Sequence, residues 1–200
     1  MPFRAVLDTN VLFPFSLRDT LWRLAEPAPT PSPAPLYIPL WSERILNEMV
    51  RNLVEDGRMD QDRADRLAVL MRSAFENASV GKDAVAALEG SMTDRGDRHV
   101  LAAAVAGGAE AIITFNLDHF PREACEPFGV EPTHPGEFLL ALYGIAPELV
   151  VEEVRRQAAD LTNPPWSFED LIEARERAGV ERFADALRTP LASEADDPRG

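Results

Sequence analysis

Residues 93–120, TDRGDRHVLAAAVAGGAEAIITFNLDHF, decide how the rest of the chain is read. Two acids, Asp94 and Asp97, stand ahead of a small-residue apolar run, His99 to Ala106, whose composition predicts a packed helix. Gly107-Gly108 closes that helix, because glycine takes the left-handed cap conformation without steric cost. Ala111-Ile112-Ile113-Thr114-Phe115 is short, apolar and partly β-branched between turn residues, the pattern of a buried parallel strand. Asn116 and Asp118 follow at once. Carboxylates therefore stand at the entrance of a helix and polar oxygens at the exit of the next strand. In open α/β sheets, ligands bind in the crevice outside the carboxyl ends of the strands.

Toward the N-terminus, Arg4-Ala5-Val6-Leu7 reads as a first buried strand ending in Asp8-Thr9-Asn10, which brings Asp8 to the same rim as Asn116. A helical spacing runs from Arg18 to Glu26. Pro27 to Pro35 holds five prolines in nine residues and reads as a loop. Leu36 to Leu40 predicts a second short strand, although Pro39 cannot donate to a central ladder. Ser42 offers an N-cap with Glu43 in the first turn, and Ile45, Leu46, Met49, Val50, Leu53 and Val54 form a helical stripe. Glu48 lies among these apolar positions, where an uncompensated carboxylate would be costly. A second amphipathic helix is predicted over 61–77, with Leu67, Leu70, Met71 and Phe75 on one face, and a short one over 83–88.

Beyond Phe120, a short helix over 121–128 and an extended segment from Val130 are expected. Helices follow at 135–143, 147–161, 167–178 and 180–188, broken at Asn163-Pro164-Pro165, with Ser167 and Asp170 resembling a capping box. The expected organisation is an α/β domain over 1–134, a helical C-terminal extension over 135–188 and a frayed tail over 189–200. The chain carries a net charge of −14, and residues 121–200 hold 17 acidic against 8 basic side chains. Such acidity argues against promiscuous nucleic-acid binding, but not against a site whose acids hold cations, and it suits a basic protein partner. The one cysteine, Cys125, excludes an internal disulfide and reads as a small buried hydrophobe. No run approaches the roughly 18 apolar residues of a membrane span, and Met1 leads directly into a strand, so a cytoplasmic protein is expected.

Asp8, Glu48, Asp97, and Asn116 or Asp118, are oxygen donors from separated points of the chain. Carboxylates gathered at one rim must bind a hard cation or raise one another's pKa. Mg²⁺ and Mn²⁺ favour such ligands and keep water for substrate phosphates, so this chemistry needs no Ser, Cys or His nucleophile. Asp94, one helical turn before Asp97, is a further candidate. Thr9, Asn10 and Thr114 are candidates for orienting ligands through hydrogen bonds, Ser42 for a cap that also holds water, and Arg95 and Arg98 for meeting phosphates. Plainer roles stand beside these. Glu48 could pair with Arg44 or Arg51 on its own helix, Asp97 could serve only as an N-cap, and His99 and His119 could be ordinary core or surface residues.

Three motifs resemble the PIN-domain family, specifically its VapC-type toxin ribonucleases: AVLDTNVL at the first strand, SERILNEMV around Glu48, and DRGDRHVLAAAVAGGAEAIITFN. They span about residues 3–130, and the third is the most specific. The resemblance implies a parallel sheet flanked by helices, Mg²⁺ or Mn²⁺ held by Asp8, Glu48 and Asp97, cleavage of RNA, and a cognate antitoxin. The helices beyond 135 resemble an extension found on some longer toxins of this kind. The chain departs from the pattern at Asn116, where many relatives carry Asp; Asp118 is the alternative, shifted by two residues. The oligomeric state stays open, a homodimer included. Two other readings compete. A haloacid-dehalogenase-type phosphatase would use Asp8 as nucleophile, but it wants Asp at position 10, where Asn10 stands, and a suitably placed lysine, whereas Lys82 is the only one. A non-catalytic binding module with a degenerate site is the other.

Overall fold

The computed structural model describes residues 3–26, 35–91 and 97–195. Asp94, Arg95 and most of the proline-rich stretch lie outside them. Five parallel strands form one sheet: β1 (Arg4–Leu7), β2 (Ile38–Ser42), β3 (Ser79–Val80), β4 (Ala111–Ile113) and β5 (Glu131–Thr133), in the order β3-β2-β1-β4-β5. Every residue of β4, and all of β1 after Arg4, is buried, as strands covered on both faces must be. The chain leaves β1 for β2 on one side, and β4 adds on the other. The order thus reverses at β1/β4, the place where such sheets open a crevice.

Pro39 is accommodated by the pairing. Ile38 donates its N–H to Phe3 O at 2.8 Å on the β1 side. The N–H that Pro39 lacks would point the other way, where β3 pairs only with Trp41 and Ser42. The helices are α1 (Thr9–Leu12), α2 (Phe15–Ala25), α3 (Glu43–Glu55), α4 (Gln61–Ala74), α5 (Lys82–Ser91), α6 (Arg98–Gly107) and α7 (Arg122–Cys125). Ser42 caps α3 by accepting from Ile45 N, and Ile45, Leu46, Met49, Val50 and Leu53 are its buried stripe. Gly108 ends α6 at φ 60°, as the glycine pair predicts.

The chain differs from the expectation in four places. The first helical stretch begins before Arg18, as α1 and then α2 on either side of Phe13-Pro14. Helix α4 ends at Ala74 and buries Ala64, Ala68 and Met71, while Leu70 is 60% exposed. Ala64, Ala68 and Met71 follow the i, i+4, i+7 line, and Leu70 falls well outside that arc. β3, two residues long, carries too little pattern to be read. The last helix runs Glu181–Ala195 and so continues past residue 188.

That helix, α11, follows α8 (Pro135–Ile145), α9 (Pro147–Asp160) and α10 (Phe168–Arg177), whose capping box at Ser167 and Asp170 forms as expected. Their apolar faces join the same core as the sheet, Phe138 meeting Tyr37 edge-on at 4.9 Å. A buried polar knot ties α9 and α10 to α2. Arg175, with no exposed surface, donates to Thr20 Oγ1 at 2.6 Å and Gln157 Oε1 at 2.7 Å, and Gln157 donates to Ser16 O at 3.1 Å. Burial pushes the Arg175 guanidinium down to about 10. No described helix is long and apolar enough to cross a membrane.

Candidate active site

Asp8 follows the last residue of β1, and Thr114 the last residue of β4. The two strands are paired neighbours, so their exits meet. Thr114 Oγ1 donates to Asp8 Oδ2 at 2.7 Å, and Asn10 Nδ2 donates to the same oxygen at 2.8 Å. Thr9 N donates to Asp8 Oδ1 at 2.7 Å, starting α1. Asn10 Oδ1 in turn accepts from Phe115 N at 3.1 Å, and Thr114 Oγ1 accepts from Asn116 N at 3.0 Å. Asp8 is 6% exposed. Burial pushes its carboxyl above the ordinary value, against the Thr114 and Thr9 hydrogen bonds, and the charge of Asp97 pushes it further the same way. Asn10 is thus committed to bracing Asp8 and the β4 exit, which leaves it no general-acid role of the phosphatase kind.

Glu48 reaches the rim from the middle of α3. Its Oε1 lies 3.1 Å from Arg44 Nε, one turn earlier, and its Oε2 lies 3.2 Å from His99 Nε2 and 3.4 Å from Thr9 Oγ1. The helix ion pair with Arg44 and the approach to the rim therefore coexist. His99 is buried, and its Nδ1 has no partner among the described residues. Asp97 starts α6, but its side chain makes no cap hydrogen bond. Its φ of −76° and ψ of 39° are not the extended conformation that turns a capping oxygen onto the helix. The carboxylate instead meets His119 Nδ1 at 2.8 Å. That bond, ahead of the general charge of Asp97, raises the His119 imidazole above its usual value.

Asp8, Thr9, Asn10, Glu48, Asp97 and Asn116 line one cleft of about 450 Å³, together with Phe13, Asn52, Asp56 and His119. Asp118 is exposed on the 3₁₀ turn Leu117–His119 and is not among the lining residues. Ser42 is buried as the α3 cap and does not line the cleft either. Arg98 faces Glu89 at 3.6 Å, with Arg44 on the same carboxylate at 2.9 Å, and is likewise absent from the lining. Asn52 and Asp56 were not anticipated, although they stand four and eight residues after Glu48 on one helix face. The partners His99 and His119 carry no local signal, since each meets its acid across tertiary structure.

The donor set suits a hard divalent cation, which favours carboxylate and amide oxygens and retains water. Among the described residues no three His, Cys, Asp or Glu side chains converge closely enough to hold one ion directly. The fit is therefore one of donor chemistry around an open cleft, with water left to complete a coordination shell.

Comparison with known proteins gives two family matches. The sequence model of the PIN domain matches residues 4–118, and that of the VapC50 C-terminal domain matches residues 135–189. Over 78 residues, 39% of this chain and 46% of the relative, the chain is 38% identical to a protein of Mycobacterium tuberculosis (strain ATCC 25618 / H37Rv) named "Putative ribonuclease VapC50". The match thus spans about half that relative's length. No solved structure matches.

Proposed function

The chain belongs to the PIN-domain family, and from that premise we propose that it is a Mg²⁺- or Mn²⁺-dependent endoribonuclease, the toxin of a bacterial toxin–antitoxin pair. The observation that carries the reading is the meeting of Asp8, Glu48 and Asp97, from β1, α3 and α6, along one cleft at the β1/β4 reversal point. Asp8, Glu48 and Asp97 would hold the ion in part through water, with Asn116 completing the rim in preference to Asp118. A divalent ion bound there supplies positive charge against a phosphodiester and makes water more acidic. Thr114, Asn10 and Thr9 fix the orientation of Asp8, Arg44 and His99 that of Glu48, and His119 that of Asp97. The relative named as a ribonuclease and the match to the C-terminal domain support RNA as substrate and a cognate antitoxin as protein partner.

The test is cleavage of single-stranded RNA by the purified chain. Cleavage is expected with Mn²⁺ or Mg²⁺, not in chelator, and is expected to be lost in Asp8→Asn. The neutral amide of Asn116 favours the second reading, a binding module, and RNA bound but left intact in every metal would establish it.

A further inference from the structure

An acidic cleft has to attract a polyanion by something besides charge. The lining carries the carboxylates of Asp8, Glu48, Asp56 and Asp97, and like charge repels RNA phosphates. Arg44 and Arg98, near the rim, are engaged by Glu48 and Glu89. Two residues offer a different attraction. Phe13 lines the same cleft, half-buried, at the end of α1. The Arg58 guanidinium lies over its ring, 5.6 Å from the centroid, and no carboxylate among the described residues pairs with Arg58.

Both are placed by the backbone. Buried Arg18 donates from Nη1 to Leu12 O at 2.6 Å and Phe13 O at 3.4 Å, clamping carbonyls at the open end of α1. Pro14 follows and restricts the chain. Helix α3 ends in a Schellman turn: Gly57, at φ 65°, donates to Val54 O at 3.0 Å, and Arg58 N donates to Leu53 O at 2.9 Å. The left-handed glycine turns the chain back and lets Arg58 reach across to Phe13.

We propose that Phe13 and Arg58 form a base-stacking subsite of the cleft, holding a nucleobase of single-stranded RNA next to the scissile phosphodiester. The inference rests on the ribonuclease reading and adds what that reading lacks, an attraction for the bases of the substrate. A base stacks on the aromatic ring or extends the ring–guanidinium stack, because every base has a π-face. The guanidinium keeps its donors for the adjoining phosphate.

The experiment is fluorescence anisotropy in chelator with two labelled probes of equal length, a single-stranded RNA and its abasic ribose-phosphate counterpart. Phe13→Leu should bind the RNA about 5- to 150-fold more weakly, the loss expected for one stacked base, and bind the abasic probe as wild type does. Phe13→Trp should restore or tighten RNA binding, and Arg58→Gln should weaken it. Equal behaviour of Phe13→Leu and wild type on both probes, or an equal loss on both, overturns the subsite. If melting curves show Phe13→Leu unfolded, Phe13→Trp decides: tighter binding of the RNA alone supports the subsite, and no base-dependent change overturns it. Cleavage is read separately in Mn²⁺. Its absence in wild type removes the nuclease reading, whereas the base-dependent difference in chelator still decides the subsite.

Discussion

Replacing Thr114 by valine keeps the shape of a fully buried side chain and removes one hydroxyl. That hydroxyl donates to Asp8 at 2.7 Å and accepts from Asn10 Nδ2 and Asn116 N, both at 3.0 Å. Asn10 keeps its bond to Asp8, and Asn116 is exposed, so water replaces its lost partner. The cost therefore falls on Asp8. A hydrogen bond to a charged acceptor contributes about 1.5–3 kcal/mol, against about 0.5–1.5 kcal/mol for a neutral one. In chelator at neutral pH, Thr114→Val should destabilise by about 1.5–3 kcal/mol, read by urea unfolding at unchanged m. In an Asp8→Asn background the same change should cost about 1 kcal/mol less, because the charged acceptor is gone.

The pH dependence follows from the direction of the Asp8 shift. Its folded carboxyl lies above the ordinary value of 3.8, chiefly through burial. A raised folded value means that the native state binds the proton more readily than the unfolded chain does, so stability from this group is lost as pH rises through the folded value. Losing the Thr114 donor raises the carboxyl further. The gap between Thr114→Val and wild type should accordingly be large at neutral pH and shrink as pH falls through the raised Asp8 values, closing by the ordinary carboxylate value. If the proposed RNA cleavage is observed, its acid limb should move to higher pH in the variant. Equal penalties in the wild-type and Asp8→Asn backgrounds, or a gap that widens on acidification, would refute the assignment of Thr114 as the donor that holds the Asp8 charge.

Two other substitutions test the rim and the C-terminal helices. Asn116→Asp adds a close charge and should tighten Mn²⁺ binding, while Asp118→Asn, outside the cleft lining, should leave it nearly unchanged; calorimetric titration reads both, and a collapse in Asp118→Asn alone would move the ligand role to Asp118. In the polar knot, Thr20→Val leaves a buried guanidinium short of a partner and should cost about 3 kcal/mol, whereas Arg175→Met removes the charge itself and should cost less than about 2 kcal/mol. Urea unfolding compares them, and the opposite order would show that the Arg175 charge is a net stabiliser.

The strands that build the rim were legible because they are short, apolar and followed at once by polar residues. Arg4–Leu7 forms as read, and Ala111–Ile113 is the core of the strand expected over 111–115. The α3 stripe was legible because five buried residues recur at helical spacing. The bracing of Asp8 was half legible: Thr9, Asn10 and Thr114 stood out as polar residues at strand exits, but their bonds depend on the register Leu7↔Ile113, which only the sheet sets. His99 and His119 escaped for the same reason, since each meets its acid 51 or 22 residues away. Leu70 misled because an apolar side chain was counted toward the buried face, whereas its place on the helix lies well outside that arc.

The partners of the three acids differ in kind, and that difference ranks them as candidate ligands. Glu48 has the Arg44 guanidinium against one oxygen and His99 against the other, and Asp97 has an imidazole whose proton affinity it raises itself. Among the described residues, Asp8 is braced in direct contact by neutral donors: the Thr114 hydroxyl, the Asn10 amide and the Thr9 N–H. It is also the most buried of the three, at 6% exposed, with side chains of Glu48 and Asp97 at 23% and 34%. Hydrogen bonds from neutral groups offset part of the cost of a buried charge, but the remainder is relieved by a cation or by a proton. Arg44 and His119, which meet Glu48 and Asp97, are themselves half-exposed, so exchanging those contacts costs little. Under the proposed function, a divalent ion would therefore gain most at Asp8, with Glu48 and Asp97 as its outer partners.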